Sequence, residues 1–189
     1  MLERLLELDT KLFLLLNGDL GAFADAIFWF SSGNFNWVPL YLVILFFMYK
    51  KLGLRNFIWA TIMIVLAVIL ADQICNLFKY GLKKFRPSQN PALEGMVYTL
   101  KGYRGGLYGP FSAHSATVMA ISAITVRIFR NNIYTVFIYL WAALVMYSRI
   151  YLGVHFPLDL LCGGLTGYLI GIWFYRIYVK FLKDRKLDF

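Results

Sequence analysis

The two histidines of this 189-residue chain are its best candidates for acid–base or nucleophilic chemistry near neutral pH. His155 is followed four residues later by Asp159, so the two side chains are neighbours if this segment is helical. A carboxylate beside an imidazole fixes its tautomer and stabilises its protonated form. His114 follows Ser112 at the start of an apolar run, where a serine caps a helix whose free N–H groups attract anions. Both histidines therefore occur in contexts that favour catalysis.

Cationic side chains accompany both histidines. Spacings of four, three, four and three residues separate five polar residues that would line one helix face if the helix continues to Arg86: Asp72, Asn76, Lys79, Lys83 and Arg86. Pro87 then ends that helix. Lys83 and its neighbour Lys84 are explained equally well as anchors at the lipid headgroups.

Three cations suit a tetrahedral dianion, and Lys79, Arg86 and Arg149 provide them. Together with two histidines, they predict a phosphoryl-transfer site. The sequence has no dense carboxylate cluster for Mg²⁺ or Zn²⁺, so we expect a metal-free reaction without a cofactor.

The composition predicts an integral membrane protein. The chain is 60% hydrophobic and only 15% charged, with a mean hydropathy of +0.64. Soluble globular chains average about 45–50% apolar and about 25% charged residues. A soluble domain of this size could not bury so much apolar surface, and the same composition excludes disorder and a disulfide scaffold.

Five apolar runs in the sequence predict an all-α bundle with five transmembrane helices. They are Trp37–Tyr49, Phe57–Phe78, Ser115–Phe129, Ile133–Tyr147 and Pro157–Phe181. The short connections Lys50–Asn56 and Arg130–Asn132 favour antiparallel neighbours. A loop, residues 87–111, interrupts the bundle without an apolar run of its own, and a loop of this length is often functional.

The first 34 residues are predicted to form interfacial amphipathic helices rather than a span. Leu2, Leu5, Leu12 and Leu16 share a helical face, opposite charged residues such as Glu7. The run 23–30 is too short to cross a bilayer, although a sixth, irregular span is the alternative. We therefore expect interfacial helices at 1–34, a transmembrane domain with the phosphoryl-transfer site and the loop 87–111 at 35–183, and a cytoplasmic tail at 184–189.

Lysines and arginines set the predicted orientation. Three groups of cations would mark the cytoplasmic side: Lys50, Lys51 and Arg55; Arg127 and Arg130; and Arg176, Lys180, Lys183, Arg185 and Lys186. The opposite side also holds many cations: Lys79, Lys83, Lys84, Arg86, Lys101, Arg104 and Arg149. Either the orientation is reversed, or these outward cations bind an anion. We expect a multi-pass membrane protein whose site faces the outside, which in a bacterial inner membrane is the periplasm.

Three segments together resemble the signature motifs of the type-2 phosphatidic acid phosphatase superfamily. The first is Lys79, six residues, then Arg86–Pro87, and the third is Ser148–Arg149, five residues, His155, three residues and Asp159. The second is Phe111–Ser112–Ala113–His114, where the family usually has Pro-Ser-Gly-His. Alanine still offers a backbone N–H, whereas Phe111 is expected to alter the loop or the substrate rim.

The resemblance implies a role for each residue. His155 would attack phosphorus and form a phosphohistidine, with Asp159 holding its other ring nitrogen. His114 would protonate the leaving oxygen and then activate water. The remaining four would bind the phosphoryl oxygens: Lys79, Arg86, Ser112 and Arg149.

The implied function is a membrane lipid phosphatase acting on a lipid mono- or diphosphate of the undecaprenyl diphosphate or lipid A type. Phosphatidylglycerophosphate and phosphatidic acid are alternative substrates. A phospholipid-binding or transport protein is the non-enzymatic alternative, although binding alone does not require two histidines. Nucleic acid is not an expected partner, because membrane-end anchoring explains the basic run near the C-terminus. The sequence identifies no protein partner.

Overall fold

The computed structural model describes residues 1–184, and six α-helices form most of that part of the chain. They are α1 (Leu2–Leu16), α2 (Ala22–Ser32), α3 (Val38–Leu82), α4 (Ala113–Phe129), α5 (Asn132–Tyr151) and α6 (Pro157–Asp184). Short 3₁₀ turns lie at Asn34–Trp37, Pro87–Gln89, Pro91–Leu93 and Leu100–Gly102. The predicted all-α class is confirmed. The predicted tail, apart from Asp184, lies outside the described residues.

Three helical segments are long and apolar enough to cross a membrane: Phe35–Leu82, Asn132–Tyr151 and Pro157–Lys183. The helix Ala113–Phe129 is apolar but shorter. A helical membrane protein is therefore confirmed, whereas the predicted number of five spans stays a prediction.

Helix α3 is too long for a single crossing and is broken at Gly53. Its 45 residues would measure about 68 Å if straight, against a hydrocarbon core of about 30 Å. Gly53 leaves the helical region with φ 69° and ψ 164°, a conformation that glycine adopts without strain. The rings of Tyr49 and Phe57, on either side, approach to 5.8 Å between centroids. The break falls within the predicted connection Lys50–Asn56, which is shorter than expected because only Gly53 leaves the helical conformation.

Helices α4 and α6 pack with their backbones in close contact, which fixes the floor of the site. A Cβ atom added to any of three glycines of α6 would collide with a carbonyl oxygen of the α4 segment: Gly163 with Ser112, Gly167 with Ala116, and Gly171 with Ala120. The four-residue spacing places these glycines on one face, as in small-residue packing of membrane helices. This stripe was not predicted from the sequence, and its first glycine, Gly163, lies directly against Ser112.

The N-terminal helices dock on the bundle rather than lying free. The Phe13 side chain of α1 is fully buried and its ring lies 5.3 Å from that of Phe156, while neighbouring leucines are exposed. The 11 residues of α2 reach only about 16 Å, so this helix cannot cross the hydrocarbon core by itself. Both helices thus leave an apolar outer surface, as expected for the membrane interface, while their inner faces contact the site region.

Candidate active site

The end of α3 corrects the predicted continuous helix to Arg86. The helix stops at Leu82, because Lys83 adopts left-handed angles with φ 48°. The chain then runs antiparallel to a later part of the loop, with a bridge between Phe85 and Tyr108. Lys83 and Arg86 therefore do not share the helix face of Asp72, and Arg86 reaches the site from the non-helical segment that this bridge holds.

The loop of residues 87–111 is held in place by two polar side chains from the N-terminal segment. The Asn17 amide nitrogen lies 2.9–3.1 Å from the carbonyl oxygens of Tyr98, Ile150 and Tyr151, and its oxygen accepts from the Tyr98 N–H at 2.8 Å. The Asp25 carboxylate accepts from the hydroxyls of Tyr98 at 2.8 Å and Tyr151 at 2.6 Å. Burial and the Asp25 hydrogen bond raise the pKa of Tyr98, so it remains a donor. These bonds tie the loop to the end of α5.

His155 is 2% exposed and its two ring nitrogens have partners of opposite character. Nδ1 lies 3.1 Å from the carbonyl oxygen of Gly109, which can only accept a proton. Nε2 lies 3.2 Å from Nη1 of Arg86, which can only donate. The neutral imidazole must therefore carry its proton on Nδ1, and its lone pair lies on Nε2. Burial, together with Arg86, lowers the His155 pKa to about 4 against the opposing effect of Asp159, which keeps the ring neutral at pH 7.

Asp159 lies beside His155, although His155 precedes the first residue of α6. The distance from Nδ1 to Asp159 Oδ2 is 3.6 Å, longer than the contact of the same nitrogen with Gly109. Two other donors hold the carboxylate: the backbone N–H of Phe156 at 2.9 Å and the ammonium of Lys84 at 2.9 Å. The predicted pair is thus adjacent, with the loop carbonyl as the nearer acceptor for the imidazole proton.

Lys84 and Asp9 form a buried network behind Asp159 that the sequence analysis did not find. The Lys84 ammonium lies 3.5 Å from Asp9 Oδ2, and Asp9 Oδ1 accepts from the Leu158 N–H at 2.9 Å. Asp9 is 4% exposed, and burial raises its pKa above the ordinary aspartate value. One sequence signal was available, because Asp9 lies three or four positions from Leu5 and Leu12, on the apolar face of α1.

Arg86 is clamped by backbone carbonyls as well as by His155. Its Nε donates to Tyr108 O and its Nη1 to Val154 O, both at 3.1 Å. A Cβ atom at Gly109 would lie 3.0 Å from Arg86 Cγ and 3.1 Å from His155 Cε1, so this glycine allows the loop to approach both residues. Burial and the nearby Arg149 lower the Arg86 pKa from its very high ordinary value, which indicates two cations sharing one desolvated pocket.

Arg149 and His114 meet at the last residue of α2. Arg149, 3% exposed, donates to the Ser32 hydroxyl and also bonds the Tyr103 side chain. Its Nε has no hydrogen-bond partner among the described residues. His114 is half-buried and bonds the Ser32 backbone, and its ring is electrostatically coupled to Arg149, His155 and Arg86. An unpaired buried guanidinium nitrogen next to two histidines is a site for an anion oxygen.

Ser112 caps α4, as its position in the sequence predicts. Its hydroxyl accepts from the Ser115 N–H at 3.4 Å, and its own N–H donates to Asp159 O at 3.0 Å. Ser112 is fully buried, so the start of α4 and the start of α6 are joined at this point.

Comparison with known proteins identifies the family of this chain. The family model of the PAP2 superfamily matches residues 59–183. The chain belongs to the PAP2 superfamily. Lipid A 4'-phosphatase of Porphyromonas gingivalis is 37% identical over 179 residues, covering 94% of this chain and 76% of that protein. Lipid A 4'-phosphatase of Bacteroides thetaiotaomicron is 36% identical over 191 residues, covering 100% of this chain and 84% of that protein.

Solved structures show the same fold. The crystal structure of Aquifex aeolicus LpxE superposes with a TM-score of 0.68 at 27% identity, covering 92% of this chain and 95% of that one. A PAP2-type phosphatidylglycerolphosphate phosphatase from Bacillus subtilis has a TM-score of 0.62 at 17% identity, covering 99% of this chain and 88% of that one. The expected membership of a phosphatase superfamily is confirmed, and the protein is a membrane lipid phosphatase.

Six of the seven site residues predicted from the PAP2 motifs come together in the structure: His114, His155, Asp159, Arg86, Ser112 and Arg149. The seventh, Lys79, is half-buried on α3 with its ammonium 5.3 Å from the centre of the Tyr80 ring. Within residues 1–184 it forms no hydrogen bond or ion pair with the other six. Within the same range, no group of three His, Cys, Asp or Glu side chains is placed to hold a metal ion.

Proposed function

We propose that this lipid phosphatase removes a phosphate from a lipid A-type substrate through a phosphohistidine on His155. The observation that carries the proposal is the tautomer of His155, whose Nε2 lone pair points to Arg86. Names of relatives support the substrate, because two of them, at 36–37% identity, are lipid A 4'-phosphatases.

In the first step, Nε2 of His155 forms a bond to phosphorus while the bond from phosphorus to the lipid oxygen breaks. Arg86 must first release Nε2. It does so because its guanidinium is attracted to the charged phosphoryl oxygens, which become its new hydrogen-bond acceptors. Arg149 offers its unpaired Nε to a second oxygen. Burial and the nearby cations lower the pKa of His114, and the negative charge of a bound phosphate offsets those cations, so that His114 can hold a proton in the complex. His114 then gives this proton to the leaving lipid oxygen, and the lipid departs as a neutral alcohol.

In the second step, water attacks phosphorus, and the N–P bond breaks as the O–P bond forms. His114, now unprotonated, takes a proton from the attacking water, which returns both histidines to their starting states. The Gly109 carbonyl and Asp159 keep the Nδ1 proton of His155 in place and stabilise the positive ring of the intermediate. Lys79 is the remaining member of the family motif, and its ammonium must swing from Tyr80 to reach the phosphate.

The proposed topology has five spans, with α3 contributing one on each side of Gly53. The site then lies at the periplasmic end of the helical bundle, in a bacterial inner membrane. Support comes from the cationic inner connections and from the exposed leucines of α1 at the level of the site.

A second candidate is hydrolysis of undecaprenyl diphosphate. A relative from Sulfolobus acidocaldarius, 28% identical over 177 residues and covering 90% of this chain, is an undecaprenyl-diphosphatase. Phosphatidylglycerophosphate and phosphatidic acid are further substrates to compare. A transport or binding protein would need neither the fixed tautomer of His155 nor His114.

Phosphate release from purified protein tests this proposal. We expect release from lipid A, loss of release in His155→Ala, and a ³²P label that is retained at alkaline pH and lost in acid, as for a phosphohistidine. Glu94→Gln, a change at an exposed loop residue, is the matched control. Release by His155→Ala at the wild-type rate would contradict the mechanism.

Thiol labelling in intact cells tests the orientation separately. In a variant lacking Cys75 and Cys162, a cysteine replacing Arg104 should react with a membrane-impermeant reagent. A cysteine replacing Lys183 should react only after lysis. The reverse labelling pattern would contradict the proposed orientation in the membrane but not the proposed mechanism.

A further inference from the structure

A cavity of about 310 Å³ adjoins His114 on the side formed by the end of α2 and the start of α3. Its lining combines polar and aromatic side chains: Ser31, Ser32, Trp37, Tyr41, Asp72, His114 and Thr117. The remaining lining residues are small or apolar: Gly33, Ala113, Val118 and Val145. No lysine or arginine lines this cavity among the described residues, although cations dominate the neighbouring phosphate site.

Ser32 joins this cavity to the phosphate site. Its hydroxyl accepts from Arg149, its backbone bonds His114, and the residue itself lines the cavity. A group entering the cavity is therefore continuous with a phosphate bound at Arg149. His155, in contrast, is not part of the lining.

The reaction geometry assigns the cavity to one part of the substrate. In an in-line displacement, the leaving oxygen lies opposite the attacking nitrogen, next to the acid that protonates it. His114 is that acid in the proposed mechanism, on which this inference rests. The group carried by the leaving oxygen must then extend past His114 into the cavity.

Asp72 gives the cavity its chemical character. Its Oδ2 accepts from the amide of Asn76 at 2.8 Å, which orients the carboxylate and leaves acceptor capacity for a ligand. The Tyr41 and Thr117 side chains offer hydroxyl groups, and the Trp37 indole is fixed by a 2.9 Å bond to Ser31 O. Carboxylates, hydroxyls and an aromatic ring suit a sugar, which presents hydroxyl donors and apolar C–H faces.

We propose that this cavity binds a neutral, hydroxyl-bearing sugar as the leaving group, and that Asp72 selects it over a leaving phosphate. In both reactions the P–O bond breaks and the leaving oxygen takes the proton of His114. With a sugar phosphate, that oxygen carries carbon, and nearby O–H or N–H groups donate to Asp72. With a diphosphate, it carries a second phosphorus, whose charge faces a carboxylate without a balancing cation.

The test compares kcat/KM for lipid A and for undecaprenyl diphosphate in the same detergent. We expect the wild type to favour lipid A. Asp72→Asn removes the charge while keeping a bond to Asn76, so it should lower the lipid A to diphosphate ratio at least tenfold. Asp72→Glu keeps the charge, so it should still favour lipid A over the diphosphate. Glu94→Gln should leave the ratio of the two kcat/KM values unchanged.

A second variant covers the case in which Asp72→Asn does not fold. Tyr41→Phe removes one hydroxyl from the cavity wall, and it should reduce kcat/KM for lipid A several-fold with no loss for the diphosphate. If the wild type releases phosphate through His155 but prefers the diphosphate, the proposal that the cavity binds a sugar is contradicted, while the proposed function stands. A ratio within twofold of wild type in folded Asp72→Asn would lead to the same conclusion. A wild type that releases phosphate from neither lipid would instead overturn the proposed function.

Discussion

Two regions hold the site in different ways. Helices α4 and α6 meet along three glycines, and their backbones fix Ser112, His114 and Asp159 through close packing. The N-terminal segment and the loop of residues 87–111 are held by single polar side chains, such as Asn17 and Asp25. Close packing tolerates no added atoms, whereas a hydrogen-bonded clamp can loosen without unfolding the bundle. We therefore expect substitutions in the packed helix pair to prevent folding. Substitutions in the hydrogen-bonded region should lower the phosphatase activity of a protein that still folds.

The largest effect is expected from Gly167→Leu. The new side chain would collide with the Ala116 backbone and force α6 away from α4, so we expect loss of folded, monodisperse protein and of all phosphatase activity. Gly81→Ala is the control, because a Cβ atom there meets nothing within 4 Å. Size-exclusion profiles and thermal unfolding measure the outcome. A folded and active Gly167→Leu protein would show that the glycine stripe does not determine the packing.

The next largest effect is expected from Lys84→Met, which removes the cation between the two regions. Asp159 and Asp9 would keep their burial but lose the ammonium, and an unbalanced buried carboxylate is strongly unfavourable. We expect kcat to fall about 10- to 100-fold, an effect of about 1.4–2.7 kcal/mol on the activation barrier.

Lys83→Met is the matched control for that measurement, since Lys83 is exposed and adjacent in sequence. If both variants lose the same activity, the loss reflects the local positive charge rather than the network behind Asp159. A double variant with Asp9→Asn should lose less than the sum of the two single effects, because both residues belong to one network.

A moderate effect is expected from Asp25→Asn, which weakens the clamp on the loop. Two tyrosine hydroxyls would lose a charged acceptor, so hydrogen exchange at Tyr98 should increase while exchange in α4 and α6 stays unchanged. We expect activity to fall less than tenfold. Equal increases in exchange across the bundle would contradict the separation into two regions.

The smallest change is expected in the protonation of His155 between pH 8 and pH 5. Since its pKa is lowered to about 4 by burial, protonation becomes significant only as the pH falls towards that value. With His114→Asn, His155 is the sole histidine of the chain, and ¹⁵N NMR should show a neutral ring protonated at Nδ1 throughout this range. Titration of His155 near pH 6.5 would mean that burial and Arg86 do not lower its pKa. A proton on Nε2 would contradict the role of the Gly109 carbonyl.

The sequence predicted the parts of the site that depend on local patterns. The start of α4 after Ser112 follows from a capping serine before an apolar run, and the pairing of His155 with Asp159 follows from their four-residue spacing. The predicted end of α3 was four residues too late, because the helix stops at Leu82 and the next residues contact a distant part of the loop through the bridge between Phe85 and Tyr108.

Long-range contacts account for the other differences. The break in α3 falls within the predicted connection Lys50–Asn56, but no pattern in the sequence shows that it is confined to Gly53. The partners of Asp9 and Asp25 lie 73 to 149 residues away, beyond any periodic pattern. Only the position of Asp9 on the apolar face of α1 indicated a buried partner.

Under the proposed mechanism, the contact between Arg86 and Nε2 of His155 would also control when the nucleophile is available. The guanidinium of Arg86 lies 3.2 Å from Nε2 and covers the lone pair that is proposed to attack. A doubly charged phosphoryl group competes for that guanidinium, whereas a neutral ester has no means of drawing it away. On that mechanism, the reactive nitrogen would stay shielded from other electrophiles in the membrane until the negative charge of the correct substrate draws Arg86 away.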